Sequence, residues 1–208
     1  MSSPCESHRT DTAVSLFDNP PKNPIPALCA WFDRAKREVR EPGAMALATA
    51  DLNCFASNRI VQLLEIRQGL LIFTTHAQSR KGREIAATGW ASGVLYWRET
   101  QQQIVISGPV APLSANESDL LWAKRPTETN AMSLASHQSA ILEDEEQLRA
   151  RAQNWVRLGI PLARPEGWLA YGLMPRFLEF WQFSADRLHR RLCYEAHPES
   201  WTHSRLQP

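Results

Sequence analysis

The chain has 208 residues, 43% hydrophobic and 22% charged, which suits one soluble globular domain with a sizeable core. Its formal net charge of +1 gives no global case for nucleic acid or an acidic membrane surface, so any basic site must be local. No apolar run approaches the roughly 20 residues that a membrane-spanning helix needs. The cysteines, Cys5, Cys29, Cys54 and Cys193, form no CxxC pair and match no zinc spacing, so no metal site is expected. With no basic-then-apolar leader, the chain is expected to be cytoplasmic with reduced thiols.

Residues 1–22 are polar and aperiodic and end in Pro20 and Pro21, which predicts a flexible N-terminal arm. Residues 23–208 read as a single domain. A helix is expected from Asn23 and Pro24, with Ile25, Leu28, Trp31, Phe32, Ala35 and Val39 on its buried face. Residues 44–50 form a short apolar strand, and 51–53 a turn. Residues 59–66 are β-branched and aliphatic and read as one strand. Residues 70–75 form another, and a helix starts at Ser79 and stops at Gly89. Residues 90–97 and 103–107 pair across a hairpin turn at 98–101. Short strands at this spacing predict an antiparallel barrel. Three helical segments follow: one capped by Ser114 and Glu117, one over 129–137, and one with an acidic start at 143–146. Residues 168–173 and 177–182 close the chain as strands.

Two clusters carry the chemistry. Arg59 shares a strand face with Val61 and Leu63, and a guanidinium on an apolar face needs a partner. Arg80 and Lys81 lie in the first turn of a helix, where cations oppose the dipole but an anion is welcome. A phosphate at Ser79, Arg80 and Lys81 would turn these liabilities into a binding site. The alternative is a solvated Arg80 and Lys81 with an Arg59 that reaches solvent from an edge strand. In the second cluster Arg187, His189 and Arg191 recur at spacing two, which on a strand puts them on one face near Trp181. They either hold an anionic planar ligand or form a solvated basic edge. GxSxG, HExxH, P-loop and GxGxxG patterns are absent.

These residues carry a resemblance. Arg59, Ile60 and Val61, then Phe73, Thr74 and Thr75, Ser79, Arg80 and Lys81, Gln103, Arg125 and Pro126 occur in the order of the pyridoxamine 5′-phosphate oxidase family. Gln138 and Ser139, Glu179, Phe180 and Trp181, Arg187, Leu188 and His189, and Arg191 continue it. The resemblance runs from about Pro24 to Pro208. It implies a mainly β fold with flanking helices, the FMN-binding split β-barrel, assembled as a homodimer with FMN at the subunit interface. Arg59, Arg80 and Lys81 would hold the FMN phosphate, with Ser79 beside them. Ile60, Val61, Gln62, Leu63 and Leu64, with Thr74 and Thr75, would line the ribityl chain and ring, and Gln103 would also touch FMN. Gln138, Ser139, Trp181 and Arg191 would come from the other subunit. Arg187 and His189 would face the substrate, with His189 a candidate proton acceptor.

The departures narrow the substrate. Vitamin B6 oxidases clamp the substrate phosphate with Lys, Tyr, Arg and Ser, where this chain has Leu64, Leu121, Arg125 and Thr129. Each lost charge-assisted bond is worth roughly 1.5–3 kcal/mol. Leu121 and Arg125, four residues apart on a predicted helix, are expected to share a face. Residues 40–51, 90–100 and the C-terminal 206–208 resemble the family's phenazine-biosynthesis branch, whose substrates are reduced phenazine carboxylates without a phosphate. The expectation is an FMN-dependent oxidase of phenazine biosynthesis, with O2 as final acceptor and H2O2 as product. The alternatives are pyridoxamine 5′-phosphate oxidation and a non-catalytic flavin- or haem-binding barrel.

Overall fold

The computed structural model describes residues 16–208. The helix α1 spans Ile25–Glu38 and buries Leu28, Trp31, Phe32 and Ala35, the expected face. The expected cap is shifted by one residue: Pro24 takes the cap position without a side-chain cap bond, and Asn23, just before it, accepts from the Ile25 backbone N–H at 3.0 Å.

The strands are β1 (Ala44–Ala50), β2 (Ala56–Gln62), β3 (Glu65–Arg67), β4 (Leu70–His76), β5 (Trp90–Trp97) and β6 (Gln102–Pro112), then β7 (Trp168–Leu173), β8 (Phe177–Gln182), β9 (Arg190–Ala196) and β10 (Trp201–Leu206). All pair antiparallel, the hairpins such as β5–β6 and β9–β10 through short turns and pairs such as β4–β7 across long stretches of chain. One path runs β10–β9–β8–β6–β5–β1–β2, and β7 joins β6 to β4. The long strand β6 serves both branches. Its first half, Gln102 to Ser107, pairs with β8, and Val110 to Pro112 pair with β7. Gly108 sits at the fork, where a Cβ would collide with the Met174 carbonyl. A side chain there would hold the two branches apart.

The barrel closes within the stretch read as one strand over 59–66. The Leu63 N–H donates to Gly43 O at 2.7 Å, and the next N–H, of Leu64, donates to Ile72 O at 2.8 Å. The backbone changes partner between those two residues, so the single strand is corrected to β2 and β3. Pattern reading cannot see this, because both halves are apolar and the break follows from which neighbour each N–H meets.

Among the helices, α2 (Arg80–Thr88) packs on β1, α3 (Ala115–Ala123) packs on β7, and α4 (Thr127–Ala135) packs on α5 (Glu145–Arg157). Gly89 ends α2 with φ 66°, and its N–H bonds Ile85 O, a conformation that costs glycine little. The main core joins α1 to the sheet, with the Trp31 ring 5.1 Å edge-on to Phe180. A smaller core of Trp122, Ala131, Leu162 and Trp168 sits under α3 and α4.

The expected arm over 1–22 is corrected at its end. Leu16 and Phe17 are buried in the main core, and Phe17 packs 6.2 Å from Trp31. The Arg205 guanidinium donates to Phe17 O at 3.0 Å, the Tyr194 hydroxyl to Pro21 O at 3.1 Å, and Arg190 pairs with Asp18. Two apolar residues in a polar stretch carry too little pattern to predict this docking. Residues 1–15, with Cys5, lie outside the described residues.

Candidate active site

The first cluster assembles where β4 turns into α2. Ser79 is buried and caps the helix, its hydroxyl accepting from the Gly82 N–H at 3.2 Å. Lys81 is 7% exposed, and its ammonium donates to Thr75 Oγ1 at 3.2 Å. Burial pushes the Lys81 pKa down and nearby Arg59 adds to that, against the opposing pull of Glu84. A desolvated ammonium of this kind gains from an incoming anion.

Arg59 points inward from β2 on the face of Ser57 and Val61, as the alternation requires. Its partner is internal. Nη1 donates to Leu47 O at 3.3 Å and Thr49 Oγ1 at 2.6 Å, and Nη2 donates to Ser57 Oγ and to Glu84 Oε2 at 3.3 Å. The reading that Arg59 lacks a partner without a ligand is corrected. Glu84 was missed. It is 5% exposed and also accepts from Arg80 Nε at 2.8 Å, Ser57 Oγ at 2.6 Å and Thr49 Oγ1. Burial alone would raise its pKa. The hydrogen bonds from Ser57, Thr49, Arg80 and Arg59 outweigh burial and hold it at about 2. A signal existed in the sequence: Glu84 lies four residues after Arg80 on a helix.

Beside this cluster lies a cavity of about 350 Å³. Ile60, Val61, Gln62, Thr74, Thr75 and Lys81 line it, with Arg125, Thr129 and Gln138 from the helical side. Gln138 Oε1 accepts from Thr75 Oγ1 at 3.0 Å, and Ser139 Oγ accepts from the Arg80 N–H at 3.2 Å. Both belong to the same chain as Lys81. Their expected origin in the other subunit is therefore corrected; sequence distance concealed a fold that returns the 136–140 segment to the start of α2. Arg125 lies 4.8 Å over the Trp168 ring and 5.1 Å over Trp122, held by Asn130 Oδ1 at 3.0 Å and Ser133 Oγ at 3.1 Å. His76, also missed, lines the same cavity, its pKa lowered by burial and then by Arg125, Lys81 and His137.

Two of the predicted substrate residues stand apart from this wall. Helix α3 ends at Ala123, so Arg125 lies beyond it and the expected shared face with Leu121 is corrected. Leu121 packs instead on the smaller core. Leu64 is 39% exposed at the β2–β3 break, and Leu63 is buried in the main core.

The second cluster is on neighbouring strands. Gln103 on β6 is opposite Trp181 on β8, and Trp181 is opposite Arg191 on β9. Arg191 donates to both Glu179 oxygens, at 2.7 and 3.0 Å, which raises its pKa. Arg187 and His189 are not on that strand, which corrects the shared-face expectation. Asp186 Oδ1 accepts from the Leu188 N–H at 2.9 Å, and Arg187 takes φ 69°, so residues 184–189 form a turn. The His189 ring still reaches the cluster, 4.9 Å from Trp181 and 5.3 Å from Phe183. Its Nδ1 accepts from the Ser184 N–H at 3.2 Å, which leaves Nε2 protonated in the neutral ring. Gln103, Trp181, Arg187, His189 and Arg191 do not line the cavity beside Lys81. One chain thus presents two separate halves.

Comparison with known proteins bears on both halves. Residues 32–158 match the pyridoxamine 5′-phosphate oxidase family model, and residues 168–208 match that of the pyridoxine 5′-phosphate oxidase C-terminal dimerisation region. The chain is 50% identical over 199 residues to a dihydrophenazinedicarboxylate synthase of Burkholderia lata, covering 95% of this chain and 94% of that one. It is 39% identical to a pyridoxine/pyridoxamine 5′-phosphate oxidase of Thermosynechococcus vestitus, covering 90% of each. Among solved structures, PhzG from Burkholderia lata in complex with tetrahydrophenazine-1-carboxylic acid superposes with a TM-score of 0.90 at 49% identity, covering 93% of this chain and 96% of that one. With both its barrel and its C-terminal strands matched, the chain belongs to the pyridoxamine 5′-phosphate oxidase family.

Proposed function

We propose that this protein is an FMN-dependent oxidase of phenazine biosynthesis, working as a homodimer on a partly reduced phenazine carboxylate. The observation that carries the reading is the cavity wall: the Arg125 cation lies against two indole rings beside the buried Lys81. A cation backed by aromatic surface suits a carboxylate on a flat ring system. Half-identity to a dihydrophenazinedicarboxylate synthase along nearly the whole chain supports it.

The residues fit FMN. Among the described residues the Lys81 ammonium donates only to Thr75, so two of its three N–H groups remain for a phosphate. Arg80, Arg59, Ser79 and Ser139 border the same point, and the strand residues 60–64 with Thr74 and Thr75 would flank the rest of the cofactor. When bound, FMN supplies two-electron acceptance and reoxidation by O2. The substrate loses two hydrogens, O2 gains them, and H2O2 leaves. Gln103, Trp181 and Arg191 of one protomer would complete the site of its partner. Arg187 would pair with the substrate carboxylate. His189, whose Nδ1 lone pair is engaged by Ser184, serves better as an Nε2 donor to that carboxylate than as a proton acceptor.

The test is spectroscopic. The purified protein should be yellow, bleach when a dihydro- or tetrahydrophenazine carboxylate is added without oxygen, and recover in air with one H2O2 per oxidation. Comparable turnover of pyridoxamine 5′-phosphate would overturn the substrate assignment in favour of vitamin B6 chemistry. A protein that retains no flavin would overturn the FMN reading, and one that holds flavin but is bleached by neither compound would be a binder and not an oxidase.

A further inference from the structure

Three cations, Arg59, Arg80 and Lys81, converge at the start of α2, and one buried carboxylate lies among them. Glu84 uses its two oxygens differently. Oε2 accepts from Thr49, Ser57 and Arg59, all on the barrel strands, which fixes the carboxylate to the sheet. Oε1 is left for Arg80 Nε, at 2.8 Å. The Arg80 side chain is 58% exposed, so this bond is what orients it. A guanidinium has five N–H groups, and Nε is the one spent here; the four η hydrogens stay available. Arg59, by contrast, spends both η nitrogens on the protein. Three positive charges less one leave two, the charge of a phosphate monoester dianion.

We propose that Glu84 is the positioning residue of the phosphate cradle: anchored by Thr49 and Ser57, it turns Arg80 so that its η N–H groups face the FMN phosphate, and it keeps the empty cradle from being an unpaired group of cations. This rests on the FMN reading above. A long, flexible side chain held in its binding conformation loses less freedom when the ligand arrives. The same carboxylate also repels a phosphate, so orientation and charge pull in opposite directions, and the sign of the effect on FMN affinity decides between them.

The experiment measures FMN and riboflavin affinity of the apoprotein by flavin fluorescence quenching. Wild type should bind FMN much more tightly than riboflavin; equal affinities would sink the phosphate reading itself. Given that preference, Glu84→Ala should weaken FMN about tenfold or more and riboflavin less than about twofold, because the loss passes through Arg80 to the phosphate. Arg80→Ala with Glu84→Ala should bind FMN no more weakly than Arg80→Ala alone. Equal weakening of both flavins would make Glu84 a support of the barrel only. Tighter FMN binding would mean that repulsion dominates. Either result overturns the inference. If Glu84→Ala fails to fold, Glu84→Asp keeps the charge and withdraws the oxygens by one methylene. It should show the same selective loss, and an unchanged preference for FMN over riboflavin would overturn the inference equally.

Discussion

The cations at the start of α2 share a single carboxylate, whereas Arg191 on β9 has one to itself. Around Glu84, Arg59 and Arg80 leave Lys81 buried with a lowered pKa and donors unspent. Around Glu179, Arg191 makes a two-bond pair that is internally complete. The first arrangement is short of anions and opens on a cavity. The second is balanced, and carries an aromatic shelf of Trp181, Phe183 and His189. A charge cluster left unneutralised by the fold is prepared for a ligand, and a neutralised one is prepared to hold shape. On the proposed function the pair serves as a binding half and a supporting half, brought together by two copies of the chain.

The sharpest way to break that division is to inactivate one half on each of two chains. Arg59→Ala and Arg191→Ala should each lose activity by two or more orders of magnitude, roughly the cost of a lost charge-assisted anchor or two. Mixed and reassembled, half the dimers are heterodimers with one intact site, so about a quarter of wild-type activity should return. No recovery, with mixing verified, would put both halves of a site on one chain.

The next effect is on acid stability. Glu84 has its folded pKa near 2, below the ordinary value of 4.5. A depressed carboxylate stabilises the fold above its unfolded pKa, and that contribution disappears as pH falls from about 4.5 to about 2. At about 1.36 kcal/mol per pKa unit, the contribution is on the order of 3 kcal/mol. Urea unfolding at pH 6 and at pH 2.5 should show wild type losing most of this, and Glu84→Gln losing much less. A parallel loss in both proteins would remove Glu84 as the cause.

Arg191→Met strands Glu179, which is 6% exposed. Because the Arg191 side chain is 31% exposed, the cost should be roughly 2 kcal/mol, below the 3–5 kcal/mol of a fully buried pair. A shift in the urea midpoint measures it; no shift would mean that the pair contributes nothing to the fold. The smallest effect is expected from Ser57→Ala, which removes one of four donors to Glu84. About 1 kcal/mol should be lost, with the acid transition moving to higher pH. A pH profile identical to wild type would show that Thr49 and the arginines hold the carboxylate without it.

Local chemistry was legible wherever periodicity or a cap determined it. The α1 face, the Ser114 and Glu117 capping box, the Gly89 stop and the Arg59 strand face can all be read from residue spacing, because each depends on neighbours within a turn or two residues along a strand. The grouping of Ser79, Arg80 and Lys81 at one helix start was legible for the same reason, whereas Thr75 entered only through the family resemblance. Tertiary structure decided what spacing could not. It brought Gln138 and Ser139 back to Thr75 and Arg80, it ended α3 before Arg125, and it buried Leu16 and Phe17 in the main core, Phe17 against Trp31. It also chose the counter-ion: Glu84 meets Arg59 across 25 residues only because α2 packs on β1. Hydrogen-bond and charge satisfaction is a property of the folded neighbourhood, and a sequence lists candidates for it without saying which of them meet.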